Sequence, residues 1–293
     1  MTMILLCSDL DRTLIPNGDQ PESPAARPLL RRLCEKGLIR LAYVSGRHKE
    51  LVLQAIENFD LPYPDYIIGD VGTTLYRPEQ GEWTHDQAWH DKIGADWKGC
   101  RNSDIVELLN SIDETKLELQ PDETQNTYKV SYFTDAGVCG SDFADLISTT
   151  LDNQGIGVNL IWSIDEEEDK GLLDILPAGA NKVSAIRFLM EQENFSAGNT
   201  VFAGDSGNDM DALTSGLQAV LVSNASPDVR REAIETAKKK GIENKLYVAR
   251  GKYNFLTGNY AGGVLEGLSY FFPELDVWIR AELDRLPKSD FEP

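Results

Sequence analysis

Two apolar runs in this chain each end directly in a cluster of aspartates, and that repetition constrains the fold more than any other feature. Residues 3–7 lead into Ser8-Asp9-Leu10-Asp11-Arg12-Thr13, and residues 200–203 lead into Gly204-Asp205-Ser206-Gly207-Asn208-Asp209. Short apolar runs bounded by turn text fit strands buried on both faces. In an open α/β sheet, ligands bind outside the carboxyl ends of the strands. Acids gathered at such ends repel one another unless they share a proton or a cation. A hard cation such as Mg²⁺ takes a few carboxylates together with water and phosphate oxygens. Each motif alone has a plainer reading: an Asx turn with solvated acids for the first, and acids favoured by a helix N-terminus for the second. Their matching places on two strands weigh against coincidence.

The text around them alternates between strand and helix patterns. Residues 21–33 carry a proline near the start and apolar Leu29, Leu30 and Leu33, which predicts a helix. Residues 39–44 read as a second buried strand and 50–59 as a helix. A third strand at 66–68 precedes Gly69-Asp70-Val71-Gly72 and a hairpin to Leu75-Tyr76. Such alternation predicts a parallel sheet covered on both faces. From about residue 79 to 176 the text is more polar and holds Trp83, Trp89 and Trp97, for which core packing is the plainer reading than stacking on a ligand. Strands at 128–132, 158–162 and 172–176, with an acidic turn at 165–169, predict an α+β unit with an antiparallel sheet. The first rhythm resumes at Asn181 with a helix at 182–191, a strand at 200–203, a helix at 210–214 and a strand at 219–222. The expected organisation is an α/β core from 1–78 and 177–293, bracketing an inserted domain at 79–176. A short helix at 277–286 and a polar tail close the chain.

Composition narrows the function. Of 293 residues, 28 are Lys or Arg and 48 are Asp or Glu, a formal charge of −20. Phosphate backbones and anionic membranes need clustered cations, so neither a nucleic acid nor a membrane is an expected partner. No apolar run approaches the roughly 20 residues of a membrane helix. The start lacks a basic segment and its apolar stretch meets Asp9 too early for a signal peptide. Cys7, Cys34, Cys100 and Cys139 are scattered, which reads as free thiols in a reducing, cytoplasmic setting. Three histidines, His48, His85 and His90, argue against a His-rich zinc site.

Two weaker signals join the aspartates. Ser45-Gly46-Arg47 follows the second strand, where a hydroxyl and a helix N-terminus can cradle phosphate, although a capping serine explains it too. Lys182 opens a helix after Pro177-Ala178-Gly179-Ala180-Asn181. It is either a solvated charge or an ammonium aimed at a phosphate.

In this order, Asp9/Asp11/Thr13, Ser45, Lys182 and Gly204/Asp205/Asp209 resemble the four motifs of the haloacid dehalogenase superfamily of phosphatases. The resemblance implies a Rossmann-like parallel-sheet core. An insertion between the Ser and Lys motifs is similar to the C2-type cap. Within these, the chain resembles the sucrose-phosphate phosphatase group, through Ala42-Tyr43-Val44-Ser45-Gly46-Arg47, Tyr128-Lys129-Val130-Ser131-Tyr132, Leu173-Asp174-Ile175-Leu176-Pro177, Asn181-Lys182 and the 204–209 segment. Asn224-Ala225 and the segment 261–267 fit the same group.

The resemblance implies a Mg²⁺-dependent sugar-phosphate phosphatase, with sucrose 6-phosphate as the first expected substrate. Asp9 is then the nucleophile that forms an aspartyl-phosphate, and Asp11 the acid and base. Mg²⁺ is held by Asp9, the Asp11 backbone carbonyl, Asp205 and Asp209, the last directly or through water. Ser45 and Lys182 stabilise the phosphate. Thr13, Gly46, Arg47, Lys129, Asp174, Asn181 and Asn208 complete the substrate-binding set, with His48 lining the cleft. A cap that closes over the core excludes water and selects the sugar. The plainer reading of Lys129 and Asp174 is a solvent-facing lysine and an edge-strand charge. The dianionic substrate is compatible with the net charge, because the Debye length at physiological salt is about 8 Å. A sucrose-phosphate synthase is the implied functional partner.

Rival readings keep the chemistry with mannosylfructose phosphate, a glyceryl glycoside phosphate or a hexose phosphate. Others replace it with a phosphomutase or a phospho-acceptor binding module. Two positions depart from the superfamily pattern. Arg12 is expected to point away from the flanking aspartates if the segment is extended, and Asp70 is an extra acid expected to tune selectivity near the mouth.

Overall fold

The computed structural model describes residues 3–110, 117–135, 140–165 and 170–285. The chain opens with β1 (Ile4–Ser8), α1 (Ala26–Glu35), β2 (Ile39–Val44), α2 (Lys49–Asn58) and β3 (Tyr66–Gly69), then doubles back as β4 (Thr74–Glu79) and β5 (Glu82–His85). Next come α3 (Gln87–Gly94), α4 (Asn102–Asn110), β6 (Glu118–Leu119), β7 (Val130–Asp135), α5 (Gly140–Asp152), β8 (Val158–Asp165) and β9 (Lys170–Pro177). The last part holds α6 (Lys182–Gln192), β10 (Thr200–Gly204), α7 (Met210–Leu213), β11 (Gln218–Leu221), α8 (Pro227–Lys240), β12 (Leu246–Val248), α9 (Tyr260–Phe271) and α10 (Pro273–Leu283).

Eight strands form one sheet in the order β12-β11-β10-β1-β2-β3-β4-β5. All neighbours from β12 to β3 are parallel, and β4 and β5 add antiparallel. The chain runs outward from β1 through β2 and β3, then returns to the other side of β1 as β10. The strand order therefore reverses beside β1, and a crevice opens at the carboxyl ends of β1 and β10. The core follows from side-chain alternation. Ile4 and Leu6 of β1 pack on one face with helices α1, α9 and α10, while Leu5 and Cys7 pack on the other with α3, α6 and α7.

A second, antiparallel sheet has the order β6-β7-β9-β8. Its own core joins Val130, Tyr132, Leu173 and Ile175 to Trp97, Ile105, Ile147 and Leu151. Trp89 and Trp97 are both fully buried, the first in the large-sheet core and the second here. Asp174 lies on β9, which pairs on both sides, so it is not an edge-strand charge. Lys129 is buried rather than solvent-facing.

Several expected boundaries move. The large sheet runs to His85 through β5, past the boundary at 78 read from the sequence. Helix α1 starts at Ala26 rather than near Pro21, because a residue before proline disfavours helical backbone and Ser23 precedes Pro24. Helix α10 starts at Pro273, using the fixed φ of proline in its first turn. Cys7, Cys34 and Cys100 are free thiols. Cys139, residues 166–169 of the acidic turn and residues 286–293 of the tail lie outside the described residues. Among the described residues, no helix is long and apolar enough to cross a membrane.

Candidate active site

The site begins where β1 and β10 end side by side. Ser8 pairs with Ala203, and the Asp9 backbone N–H donates to the Ala203 carbonyl at 2.9 Å. Beyond Asp9 the chain tightens into a turn. The Leu10 carbonyl accepts from Thr13, Leu14 and Ile15 at 3.2, 2.9 and 2.8 Å. This closure drives Arg12 to a φ of 57°. The segment is therefore not extended, and the expected orientation of Arg12 is corrected: its Nε lies 3.7 Å from Asp205 Oδ2, the acid across the crevice. Thr13 donates to Asp205 Oδ1 at 3.2 Å, so its hydroxyl serves that carboxylate.

Beyond β10, a turn at Gly207–Asp209 locks the second acidic end. Asp209 Oδ2 accepts from the Asp205 and Ser206 backbone N–H groups at 3.2 and 3.3 Å, and Ser206 Oγ closes a reciprocal cap. Gly204 is required there, since a Cβ on it would sit 2.5 Å from Asp209 Oδ2.

Helix α6 delivers the cation. Asn181 caps it by accepting from the Ser184 N–H at 2.8 Å, which places Lys182 at the first helical position. Lys182 Nζ donates to Asp9 Oδ1 at 2.9 Å, Asp209 Oδ1 at 2.7 Å and Asn208 Oδ1 at 3.3 Å. Burial alone would lower its pKa, but Asp209 and Asp9 outweigh burial and raise it, so the ammonium is charged.

Asp9, Asp205 and Asp209 are buried, and one oxygen from each lies within 4.8 Å of the others. Burial pushes Asp9 well above the ordinary carboxylate range against the pull of Lys182, with Asp209 and Asp205 adding to the rise. Burial and then Asp209 push Asp205 up to about 7. Three buried carboxylates facing one buried ammonium, with the half-exposed Arg12 guanidinium 3.7 Å from Asp205, are under-compensated, and a hard divalent cation fits that donor set. The Asp11 carboxylate stands apart from this cluster. Arg47 grips both its oxygens, Nε to Oδ2 and Nη2 to Oδ1, each at 2.7 Å, and Asn17 Nδ2 adds a bond to Oδ1 at 3.0 Å. Ser45 Oγ accepts from the Arg47 N–H at 3.1 Å, and Gly46 between them is exposed.

The other expected substrate residues gather on the second sheet. Lys129 Nζ donates to the Thr124 carbonyl at 2.6 Å and lies 3.7 Å from Asp174 Oδ1, which also accepts from Ser131 Oγ at 2.5 Å. His48 Nδ1 lies 3.0 Å from Glu50 Oε2. Two further residues shape the first turn: Asn17, which sequence reasoning missed, and Asn224, which it singled out only through the group resemblance and with no role. Asn17 bonds the Arg12 N–H and Asp11, and Asn224 donates to the Arg12 carbonyl at 2.6 Å while accepting from the Tyr260 N–H at 2.9 Å. An Asn beside a proline and a glycine signals a turn, but not that its carboxamide ties down an active-site loop.

Residues 2–272 match the family model described as Sucrose-6F-phosphate phosphohydrolase. A Nitrosococcus oceani protein named "Putative HAD-like hydrolase" is 50% identical over 276 residues, covering 94% of this chain and 74% of that protein. The mannosylfructose-phosphate phosphatase of Agrobacterium fabrum is 28% identical over 272 residues, covering 91% of this chain and 96% of that one. The crystal structure of a sucrose-phosphatase from Synechocystis sp., solved with sucrose and phosphate, superposes with a TM-score of 0.71 at 27% identity, over 92% of this chain and 98% of that one. This chain belongs to the sucrose-6F-phosphate phosphohydrolase family, as a sugar-phosphate phosphatase and phosphoric monoester hydrolase of the haloacid dehalogenase superfamily.

Proposed function

We propose that the protein hydrolyses sucrose 6-phosphate to sucrose and phosphate, with Mg²⁺ and through an aspartyl-phosphate on Asp9. The observation that carries this reading is the Lys182 ammonium, 2.9 Å from Asp9 and 2.7 Å from Asp209 at the ends of two adjacent parallel strands. A carboxylate nucleophile, a fixed cation and an acidic triad then meet at one point.

An Asp9 oxygen attacks phosphorus, and the bond from phosphorus to the sugar oxygen breaks. Asp11 gives its proton to the leaving oxygen. In the second half Asp11 takes a proton from the water that attacks phosphorus, and the Asp9 carboxylate is regenerated. Arg47 fixes the Asp11 carboxylate by both oxygens, so proton transfer at either oxygen requires one of those bonds to open. Ser45 and Lys182 face the phosphate oxygens and stabilise their charge, which is most of what phosphoryl transfer asks of a protein. Asp9, Asp205, Asp209 and the Asp11 backbone carbonyl would hold the Mg²⁺. Bound there, the ion neutralises the repulsion between the Asp9 carboxylate and a phosphate dianion. The large-sheet unit carries this chemistry. The second sheet and its helices act as the cap that selects the sugar, with Lys129 and Asp174 toward its hydroxyl groups.

The test is phosphate release from sucrose 6-phosphate, mannosylfructose phosphate, glucose 6-phosphate and fructose 6-phosphate, with Mg²⁺ and with EDTA. Preference for sucrose 6-phosphate, abolished by EDTA, is the expected result. The second reading, mannosylfructose phosphate, draws on the 28% identity that spans nearly all of the Agrobacterium fabrum enzyme. Preference for that substrate in the same panel would replace the first reading.

A further inference from the structure

Strand β3 ends in a turn that side-chain-bearing residues resist. Asp70 has a φ of 51° and Val71 a φ of 60°, both left-handed, and Gly72 follows at 97°. For a β-branched residue such as Val71 that conformation is a true outlier. Strain of this kind persists only where the surroundings over-determine it, and it clusters at functional sites.

The surroundings here are the catalytic elements themselves. The Asp70 N–H donates to the Arg47 carbonyl at 3.0 Å, and the Val71 N–H donates to the Ser45 carbonyl at 3.1 Å. A Cβ on Gly72 would lie 2.4 Å from the Asn181 carbonyl carbon and 2.8 Å from the Lys182 nitrogen. From the second sheet's side, Asn126 Nδ2 donates to Thr73 Oγ1 at 2.9 Å. The turn is therefore wedged between the Ser45–Arg47 loop, the start of α6 and the cap.

What the turn holds is a buried carboxylate. Asp70 is 4% exposed, and its Oδ2 accepts from Thr74 Oγ1 at 3.0 Å. Burial raises its pKa above the ordinary carboxylate range, against the pull of Lys129 beside the second sheet, the Thr74 hydroxyl, His48 before α2 and the Asn126 carboxamide. A buried carboxylate costs free energy unless it gathers donors. An ionised carboxylate has about four acceptor sites, and Thr74 and Asn126 serve two of them. Sugar hydroxyl groups are donors of the kind that fill the others.

We propose that Asp70 is a specificity-determining residue whose carboxylate accepts hydrogen bonds from hydroxyl groups of the sugar whose phosphate sits at Asp9, Ser45 and Lys182. The proposal rests on the reading of those three residues as the phosphate end of the site. It adds an acceptor on the core side, facing Lys129 and Asp174 on the cap side. Strain at Asp70 and Val71 fixes the carboxylate's aim, so the site is pre-organised.

The test compares Asp70→Asn and Asp70→Gly with the wild type. The substrates are p-nitrophenyl phosphate, which has no sugar, and whichever sugar phosphate of the panel the wild type turns over fastest. The readout is the ratio of kcat/KM for the sugar phosphate to kcat/KM for the aryl phosphate. Both variants are expected to lower that ratio about tenfold or more, mostly through KM for the sugar phosphate. Asp70→Gly also relieves the left-handed backbone, so it keeps the fold while removing the acceptor. Equal losses on both substrates, or no loss on either, would make Asp70 a purely structural residue and overturn the proposal. A wild type that hydrolyses no sugar phosphate overturns it together with the reading beneath it. Turnover of a sugar phosphate other than sucrose 6-phosphate leaves the ratio measurable and overturns only the assigned substrate.

Discussion

The guanidinium of Arg47 holds the carboxylate of Asp11 through two parallel hydrogen bonds of 2.7 Å. The contact joins the loop after β2 to the loop after β1. It sets the position of the proposed acid and base relative to Asp9, which lies two residues before Asp11 and opposite Lys182.

Replacing Arg47 by lysine keeps the charge and removes the fork, and those are not equivalent at a bidentate site. Arg47→Lys is expected to lower kcat/KM for the sugar phosphate about 10- to 100-fold. Its Mg²⁺ dependence is expected to stay that of the wild type, because the Arg47 side chain bonds Asp11 and not the acidic triad. Steady-state kinetics at varied substrate and varied Mg²⁺ separate the two effects. A large shift in Mg²⁺ dependence would contradict this account of Arg47.

Lys182 has both a structural and a chemical consequence. Lys182→Met leaves Asp9 and Asp209 buried without their ammonium. Removing one partner of a buried ion pair typically costs about 3–5 kcal/mol. The metal-free variant is therefore expected to melt well below the wild type. Mg²⁺ is expected to restore much of that stability, because a second cation can serve the same carboxylates. Turnover is expected to stay at least 100-fold down even with Mg²⁺. Melting curves with EDTA and with Mg²⁺, run beside an activity assay, read both parts.

The acids set a pH dependence of definite sign. Burial and Asp209 raise Asp205 from 3.8 to about 7, and Asp9 and Asp70 are raised as well, chiefly by burial. Between pH 4 and 7 the folded metal-free chain holds protons that the unfolded chain has released, so its stability falls as pH rises through that window. Metal binding needs those carboxylates ionised and strengthens in the same direction. In EDTA the Tm at pH 5 is expected to exceed that at pH 8 by at least about 3 °C, and saturating Mg²⁺ is expected to shrink the gap. Calorimetry at both pH values checks this. The slope should flatten in Asp205→Asn.

The strand ends were legible because apolar runs stop abruptly at acids, and burial of both sheet faces writes itself as continuous hydrophobicity. Ser45 and Lys182 were legible as positions next to strand ends, with their order along the chain carrying the rest. The conformation of Arg12 was not legible. Its positive φ comes from three amides converging on the Leu10 carbonyl, a closure that local propensity does not encode. Nor was the setting of Asp70, which is buried and meets the Lys129 charge and the Asn126 carboxamide, residues more than fifty positions away in the chain. Helix α8 is absent from the sequence expectations although its signals are present. Ser226 caps it, Pro227 opens it, three lysines end it, and Gly241 follows in a left-handed conformation. Its mostly polar face gives weak hydrophobic periodicity, which is why the pattern alone passed over it.

The central claim is that Asp9 attacks phosphorus. The most direct measurement is the turnover of Asp9→Asn with saturating sugar phosphate and Mg²⁺, on protein shown to be folded. A nucleophile cannot be spared, so turnover at least 1000-fold below wild type is the predicted result. A variant that retains a tenth of wild-type turnover would contradict covalent catalysis at Asp9 and leave direct attack by water as the mechanism.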